Sequence, residues 1–302
     1  MKRALITGIS GQAGAYLTQL LSSKGYEIYG LDRRKSDPQV DPRKKQIYDD
    51  AKVKFVVGDI TDPDGMRHLI KTIKPHEIYN LAAMSFVKSS WDLPVSTFDM
   101  NARAVVHLLE IIRQECPESR MIQCSTSEMF GKVLQTPQVE TTPFYPRSPY
   151  GVSKIAAHYA VLNYRESYNL HTSSAIMFNY ESRFRGPEFV TRKITLAAAR
   201  IKHGLQKELR LGNIEAKRDW SHAADTTRAM YLMAQQDTPS DYVICSGETR
   251  SIREFLELSF GKLDMKWEDY VVIDSEFFRP AEVDLLQGNS EKAHNILRWK
   301  PE

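Results

Sequence analysis

Through the first half of the chain, short apolar runs alternate with amphipathic stretches, and the alternation predicts strands and helices in turn. Residues 3–7 form an apolar run of strand length, and Tyr16, Leu17, Leu20 and Leu21 then recur at helical spacing until Lys24-Gly25 closes the helix. A second run at 28–31 completes a strand–helix–strand unit. Further strands are predicted at 54–57, 77–81 and 120–125, with helices around 66–73 and over 96–114. Beyond a helix that ends near Tyr168 the rhythm loosens. A strand at 172–178 precedes a loop around Arg185-Gly186-Pro187, and helices at 191–203, 223–236 and 252–258 are separated by short strands at 209–211 and 242–245. Residues 298–302 read as the entry to a further element.

Strands alternating with helices predict an α/β fold, a Rossmann-type doubly wound parallel sheet with a smaller C-terminal α/β lobe. A chain of 302 residues fits two such units. Residues 1–170 are expected to form the nucleotide-binding domain, and residues 171–302 mainly a substrate lobe partly interleaved with it. Composition narrows the function. With 42% apolar residues, 26% charged residues and a net charge of +3, nothing demands a nucleic-acid partner. The cluster Arg43, Lys44 and Lys45 reads as a solvated surface segment. Cys116, Cys124 and Cys245 have no metal or CxxC spacing, so they read as reduced core residues, with no metal site. The N-terminus lacks an apolar stretch of signal or membrane-spanning length, and a cytoplasmic location is expected.

Ligands of such a sheet lie beyond the carboxyl ends of its strands, so residues directly after strands count most. The first is Gly8-Ile9-Ser10-Gly11-Gln12-Ala13-Gly14. Glycines in this turn let the backbone approach a pyrophosphate, and the helix that follows offers free N–H groups and a partial positive charge. Asp32 and Arg33 end the second strand, where an acid favours the ribose hydroxyl of NAD and an arginine the ribose phosphate of NADP. Asp59 and Ile60, and then Leu81, Ala82 and Ala83, stand after later strands, placed to meet the rest of the cofactor. Tyr150 and Lys154 are four apart at the start of a helix and so share a face, where the ammonium is expected to stabilise a phenolate and lower the tyrosine pKa. Thr126 and Glu128 follow another strand and can address two substrate atoms. A plain dehydrogenase needs no such carboxylate.

Taken together, the segments 8–14, 125–128, 141–150, 188–195, 212–220 and 278–284 resemble the GDP-mannose 4,6-dehydratase family of extended short-chain dehydrogenases. The most specific of these are Phe189-Val190-Thr191-Arg192-Lys193-Ile194-Thr195 and Ala216-Lys217-Arg218-Asp219-Trp220. The resemblance implies that Thr126, Glu128, Tyr150 and Lys154 carry the chemistry, and that Ser85, Tyr180, Arg185 and Arg33 help to hold a cofactor. That cofactor is expected to be NADP, with NAD as the alternative. Nucleotide-sugar contacts would fall to Ser85, Glu128, Asn179, Val190, Lys193, Arg218, Arg279 and Glu282, whereas Arg192 and Lys217 read as surface residues. The implied reaction converts GDP-mannose to its 4-keto-6-deoxy derivative. The chain departs from the family pattern at Asp32, at Met84, at Tyr180 in place of histidine and at Arg183 in place of proline, and the segment after Arg34 is short. Rival readings are a GDP-4-keto-6-deoxymannose reductase, another dehydratase or epimerase of the superfamily, and a nucleotide-sensing protein without turnover. A homodimer or homotetramer is expected, built on the helices at 96–114 and 153–168.

Overall fold

A computed structural model of the chain describes residues 1–33, 42–278, 281, 283 and 285–302. The first part runs β1 (Arg3–Thr7), α1 (Gln12–Ser23), β2 (Glu27–Asp32), α2 (Pro42–Asp50), β3 (Lys54–Val57), α3 (Pro63–Ile73) and β4 (Glu77–Asn80). Next come α4 (Ser89–Asp92), α5 (Pro94–Phe98), α6 (Ala104–Glu115), β5 (Arg120–Thr126), α7 (Pro149–Tyr168), β6 (Thr172–Met177) and β7 (Asn179–Glu181). The chain continues with α8 (Val190–Lys202), β8 (Leu209–Leu211), β9 (Lys217–His222), α9 (Ala223–Gln235), β10 (Tyr242–Ile244), β11 (Thr249–Ser251) and α10 (Ile252–Gly261). It closes with β12 (Val271–Ile273), β13 (Leu285–Leu286) and α11 (Glu291–Leu297).

Seven strands form one sheet in the order β10-β6-β5-β4-β1-β2-β3, with every neighbouring pair parallel. The order reverses beside β1, which places the crevice for a ligand at the turn that follows it. Parallel sheets need cover on both faces. Here α1, α9 and α11 bury Leu17, Leu21, Met230 and Leu297 against one face, and α3, α6 and α7 bury Ile70, Leu108, Leu109 and Val161 against the other. Each such side chain contributes about 1.5–3 kcal/mol relative to exposure. β6 and β10 complete this sheet from beyond residue 170. A second sheet is built on β9, which pairs with β7, β11 and β13, and a small parallel pair joins β8 to β12.

The expected single helix over 96–114 is interrupted: a π-helical turn over Asp99–Arg103 separates α5 from α6. That turn carries Asn101 inward, where its Oδ1 accepts from the Met84 N–H (2.9 Å) and its Nδ2 donates to the Met84 carbonyl (3.1 Å) and Ser153 Oγ (3.2 Å). The loop after β4 is thereby tied to α7. The stretch read as a solvated surface segment lies on helix α2, where Arg43 and Lys45 are exposed as expected but Lys44 is buried on the inner face. Among the described residues no helix is long and apolar enough to cross a membrane.

Candidate functional site

Where β1 ends, Gly8 takes φ +63°, and a Cβ at that position would lie 2.8 Å from the Ala82 backbone nitrogen. Only glycine lets the turn lie this close to the loop after β4. The turn leads into α1, which Gly11 precedes with no side-chain cap and which has no acidic residue in its first turn. Its N–H groups and partial positive end therefore remain available for an anion. Gly8, Ser10, Gly11, Gln12, Ala13 and Gly14 line one end of a cavity of about 790 Å³. That volume lies in the range of cofactor and substrate clefts, and the residues present fit a dinucleotide pyrophosphate.

Helix α7 also lines the cavity, through Tyr150 and Lys154. Ser148 caps the helix, its Oγ accepting from the Gly151 N–H at 3.0 Å, and Pro149 begins it with φ already set. This start turns Tyr150 and Lys154 toward the cavity. Lys154 Nζ donates to the Cys124 carbonyl at 2.9 Å and lies 5.8 Å from the Tyr150 ring centre. Thr126, the last residue of β5, lines the cavity with Tyr150, and its Oγ1 accepts from the Glu128 N–H at 3.2 Å. Thr126, Glu128, Tyr150 and Lys154 thus stand on one wall of one cavity.

The expected lowering of the Tyr150 pKa is not found; the shift runs upward. Burial is the largest cause, Cys124 and Glu128 add to it, and only Thr126 and Arg185 oppose it. Lys154 is itself buried, and desolvation disfavours its charged form and lowers its pKa. Its ammonium is directed to a backbone carbonyl rather than to the phenol. A shared helix face put the two residues side by side without deciding which group the ammonium would bond.

The remaining candidates divide. Leu81, Ala83, Ser85, Asn179, Tyr180, Arg185, Val190, Lys193 and Arg218 line the cavity. Arg185 pairs with Glu181 at 3.3 Å and lies over the Phe189 ring at 3.5 Å. Lys193 donates to the Arg210 carbonyl at 2.7 Å and covers the Phe277 ring, while buried Arg218 donates to the Lys217 carbonyl at 2.9 Å. Asp32, Arg33, Asp59, Ile60 and Ala82 are not on the cavity wall. Asp59 turns its carboxylate back on the N–H and hydroxyl of Thr61, at 2.9 and 2.8 Å. Ile60 is packed in the core, and the Ala82 backbone lies behind Gly8. Arg279 and Glu282 lie outside the described residues.

One lining residue, Lys44, had no motif to announce it, whereas Gln12 belongs to the glycine-rich turn already singled out. Lys44 reaches the cavity from α2, and the Gln12 side chain joins α1 to the strand opposite, donating to the Tyr180 carbonyl (2.9 Å) and accepting from Ser182 Oγ (2.8 Å). Pro42 at a helix start, followed by Lys44 and Tyr48 four apart, was the available signal for α2. The family model for GDP-mannose 4,6 dehydratase matches residues 5–302. GDP-mannose 4,6 dehydratase 2 of Arabidopsis thaliana is 50% identical, covering 100% of this chain and 83% of the relative. The Homo sapiens GDP-mannose 4,6 dehydratase is 44% identical over 99% of this chain and 87% of its own length. Among solved structures, the Bacillus anthracis dTDP-glucose 4,6-dehydratase in complex with NAD superimposes with a TM-score of 0.85 at 26% identity, over 100% of this chain and 92% of that one. The Thermus thermophilus UDP-glucose 4-epimerase complexed with NAD shares the fold, with a TM-score of 0.86 at 24% identity over 99% of this chain and 94% of that one. The chain belongs to the GDP-mannose 4,6-dehydratase family.

Proposed function

We propose that the chain dehydrates GDP-mannose to GDP-4-keto-6-deoxymannose and water, with NADP held in the glycine-turn end of the cleft. The observation that carries this reading is the meeting of Thr126, Glu128 and Tyr150 on one wall, with the glycine turn at one end of the same cavity and Asn179, Lys193 and Arg218 elsewhere along it. Gly8, Gly11, Gln12 and Ala13 would hold the pyrophosphate, and Lys154 and Arg185 would lie toward the nicotinamide half. A bound nicotinamide supplies reversible two-electron chemistry, oxidising C4 and later reducing C6.

Tyr150, in its phenolate form, takes the proton of the C4 hydroxyl, with Thr126 beside it on the cavity wall. The resulting 4-ketone acidifies the C5 hydrogen. Glu128 removes that proton and passes one to the C6 hydroxyl, which leaves as water. Lys193 and Arg218 would hold the nucleotide diphosphate, as cations suited to its oxygens. We read residues 1–170 as the cofactor-binding half and residues 171–302 as mainly the substrate half. We also read the chain as a homo-oligomer, because Val95, Phe98, Val152 and Tyr159 leave apolar surface exposed on α5 and α7.

Purified protein incubated with GDP-mannose and catalytic NADP is expected to release one water per sugar without net reduced nicotinamide, read by mass spectrometry and absorbance. Absence of water loss, with reduced nicotinamide consumed when the 4-keto-6-deoxy sugar is supplied, would make the chain the reductase instead.

A further inference from the structure

Glu181 places a carboxylate on the wall of the cavity read above as the seat of an anionic dinucleotide. It ends β7, and its side chain is 21% exposed. Burial is the largest influence on its pKa and raises it, while Arg185 and the Thr191 hydrogen bond pull it down. A negative charge in this place is desolvated and would repel a pyrophosphate. A neutral residue of the same size would avoid both costs unless the charge serves a neighbour.

The neighbour is Arg185. Its Nε lies 3.3 Å from Glu181 Oε2, and the guanidinium lies over the Phe189 ring, 3.5 Å from its centre. The buried Nε forms no hydrogen bond, so the pair is held by charge and by the ring beneath it. Phe189 is itself set edge-on to Phe86 of the loop after β4, with ring centres 5.8 Å apart. The carboxylate has a fixed seat: Thr191, 4% exposed in the first turn of α8, donates its hydroxyl to Glu181 Oε2 at 2.6 Å. β7, α8 and the loop between them thus converge on one guanidinium. Among the described residues no hydrogen bond occupies its two terminal nitrogens, and Arg185 lines the same cavity as Tyr150 and Lys154.

We propose that Glu181 is a positioning residue: seated by Thr191, its carboxylate fixes Arg185 flat on Phe189 so that the terminal nitrogens of the guanidinium meet the pyrophosphate oxygens of the bound dinucleotide. The inference rests on the dinucleotide reading above. It adds to the glycine turn a second anion-binding group, whose aim is set by a carboxylate that does not touch the ligand. Guanidinium forks bind paired phosphate oxygens through their geometry, so a fixed plane matters as well as charge.

A double-mutant cycle isolates a residue that acts through another. Calorimetric titration of cofactor-free full-length protein with NADP, and separately with NAD, reads it, because the two dinucleotides share the pyrophosphate. For Arg185→Gln we expect both to bind about tenfold or more weaker, the loss of hydrogen bonds to a charged group. Glu181→Gln keeps the shape and an acceptor for Thr191 but removes the charge that holds Arg185, and should weaken both by about threefold. Added to Arg185→Gln, it should cost nothing further. Equal losses from Glu181→Gln with and without Arg185 would make Glu181 a merely structural residue and overturn the proposal, as would no loss in the otherwise unaltered chain. A loss confined to NADP would move the contact to the ribose phosphate and overturn it too. Should Glu181→Gln not fold, Thr191→Val frees the carboxylate without removing it, and the same pattern is expected at about twofold. If the unaltered chain binds neither dinucleotide, the cofactor reading fails and this assignment with it. If it binds them and the cycle is additive, the assignment alone fails.

Discussion

A methyl group at Gly14 would stand 2.0 Å from the Ile9 carbonyl oxygen, inside any contact a real side chain makes, and the atom it meets is backbone. Gly14→Ala must therefore displace the turn or the start of α1. We expect a loss of about 3 kcal/mol or more in urea unfolding, together with loss of dinucleotide binding; an unchanged midpoint would mean that the turn has room to shift. At Glu128 the effect should be chemical. Glu128→Gln keeps the shape but cannot take the C5 proton, so dehydration should fall by about 10²–10⁴-fold while C4 oxidation persists in part. Reduced nicotinamide should then accumulate in a single turnover, and undiminished product would remove Glu128 from the mechanism. These positions were legible in the chain because each follows an apolar run directly, and topology sends strand ends to one edge. Lys44 was not legible: a run of like charges says nothing about which member packs inward until the helix beneath it is known.

At the scale of elements, the capped start of α7 positions two candidate side chains, Tyr150 and Lys154, at once. Ser148 accepts from the Gly151 N–H, and a Cβ at Gly151 would lie 2.9 Å from the Glu128 carbonyl, so the first turn of the helix is fitted closely to the end of β5. Ser148→Ala should cost about 1 kcal/mol, read as a lower urea midpoint. An unchanged midpoint would show that Pro149 and packing alone hold the turn. The long elements of the sheet were readable because a continuous apolar run or a helical period extends over enough residues to be seen. β7, β11 and β13 span two or three residues and carry no alternation; β9 presents Lys-Arg-Asp-Trp-Ser-His, polar almost throughout, because its neighbours rather than its composition make it a strand. The π-turn at Asp99–Arg103 was hidden for a related reason. One added residue per turn barely disturbs the apolar stripe, yet it rotates Asn101 toward the loop after β4.

At the scale of the whole molecule, α7 and the sheet edge are joined through charge. Arg165 on α7 grips Asp241, just before β10, with Nη1–Oδ1 at 3.0 Å and Nη2–Oδ2 at 2.7 Å, and the same carboxylate accepts from the Ser174 N–H of β6. Burial alone would raise the Asp241 pKa, but the bond and charge of Arg165 hold it below the usual carboxylate value. A lowered carboxylate contributes stability above pH 3.8, lost only as pH falls through its folded value, so this pair should survive mild acid. His158 behaves oppositely. It is 6% exposed, packed edge-on against the rings of Phe144 and Tyr159, and its Nδ1 has no hydrogen-bond partner. Desolvation lowers its pKa and Arg165 adds to that, outweighing the attraction of Asp241. Above pH 6.5 it is neutral in both folded and unfolded chains and contributes nothing to the pH dependence. Below pH 6.5 the unfolded chain takes up the proton first, and stability falls until the folded value is passed. His171, lowered chiefly by desolvation, acts in the same window. Urea unfolding measured between pH 7.5 and 5 should therefore show declining stability, and His158→Gln should flatten the decline while retaining the ion pair beside it. A slope identical to that of the unaltered chain would assign the acid sensitivity to other groups and show that water reaches His158 in the folded state.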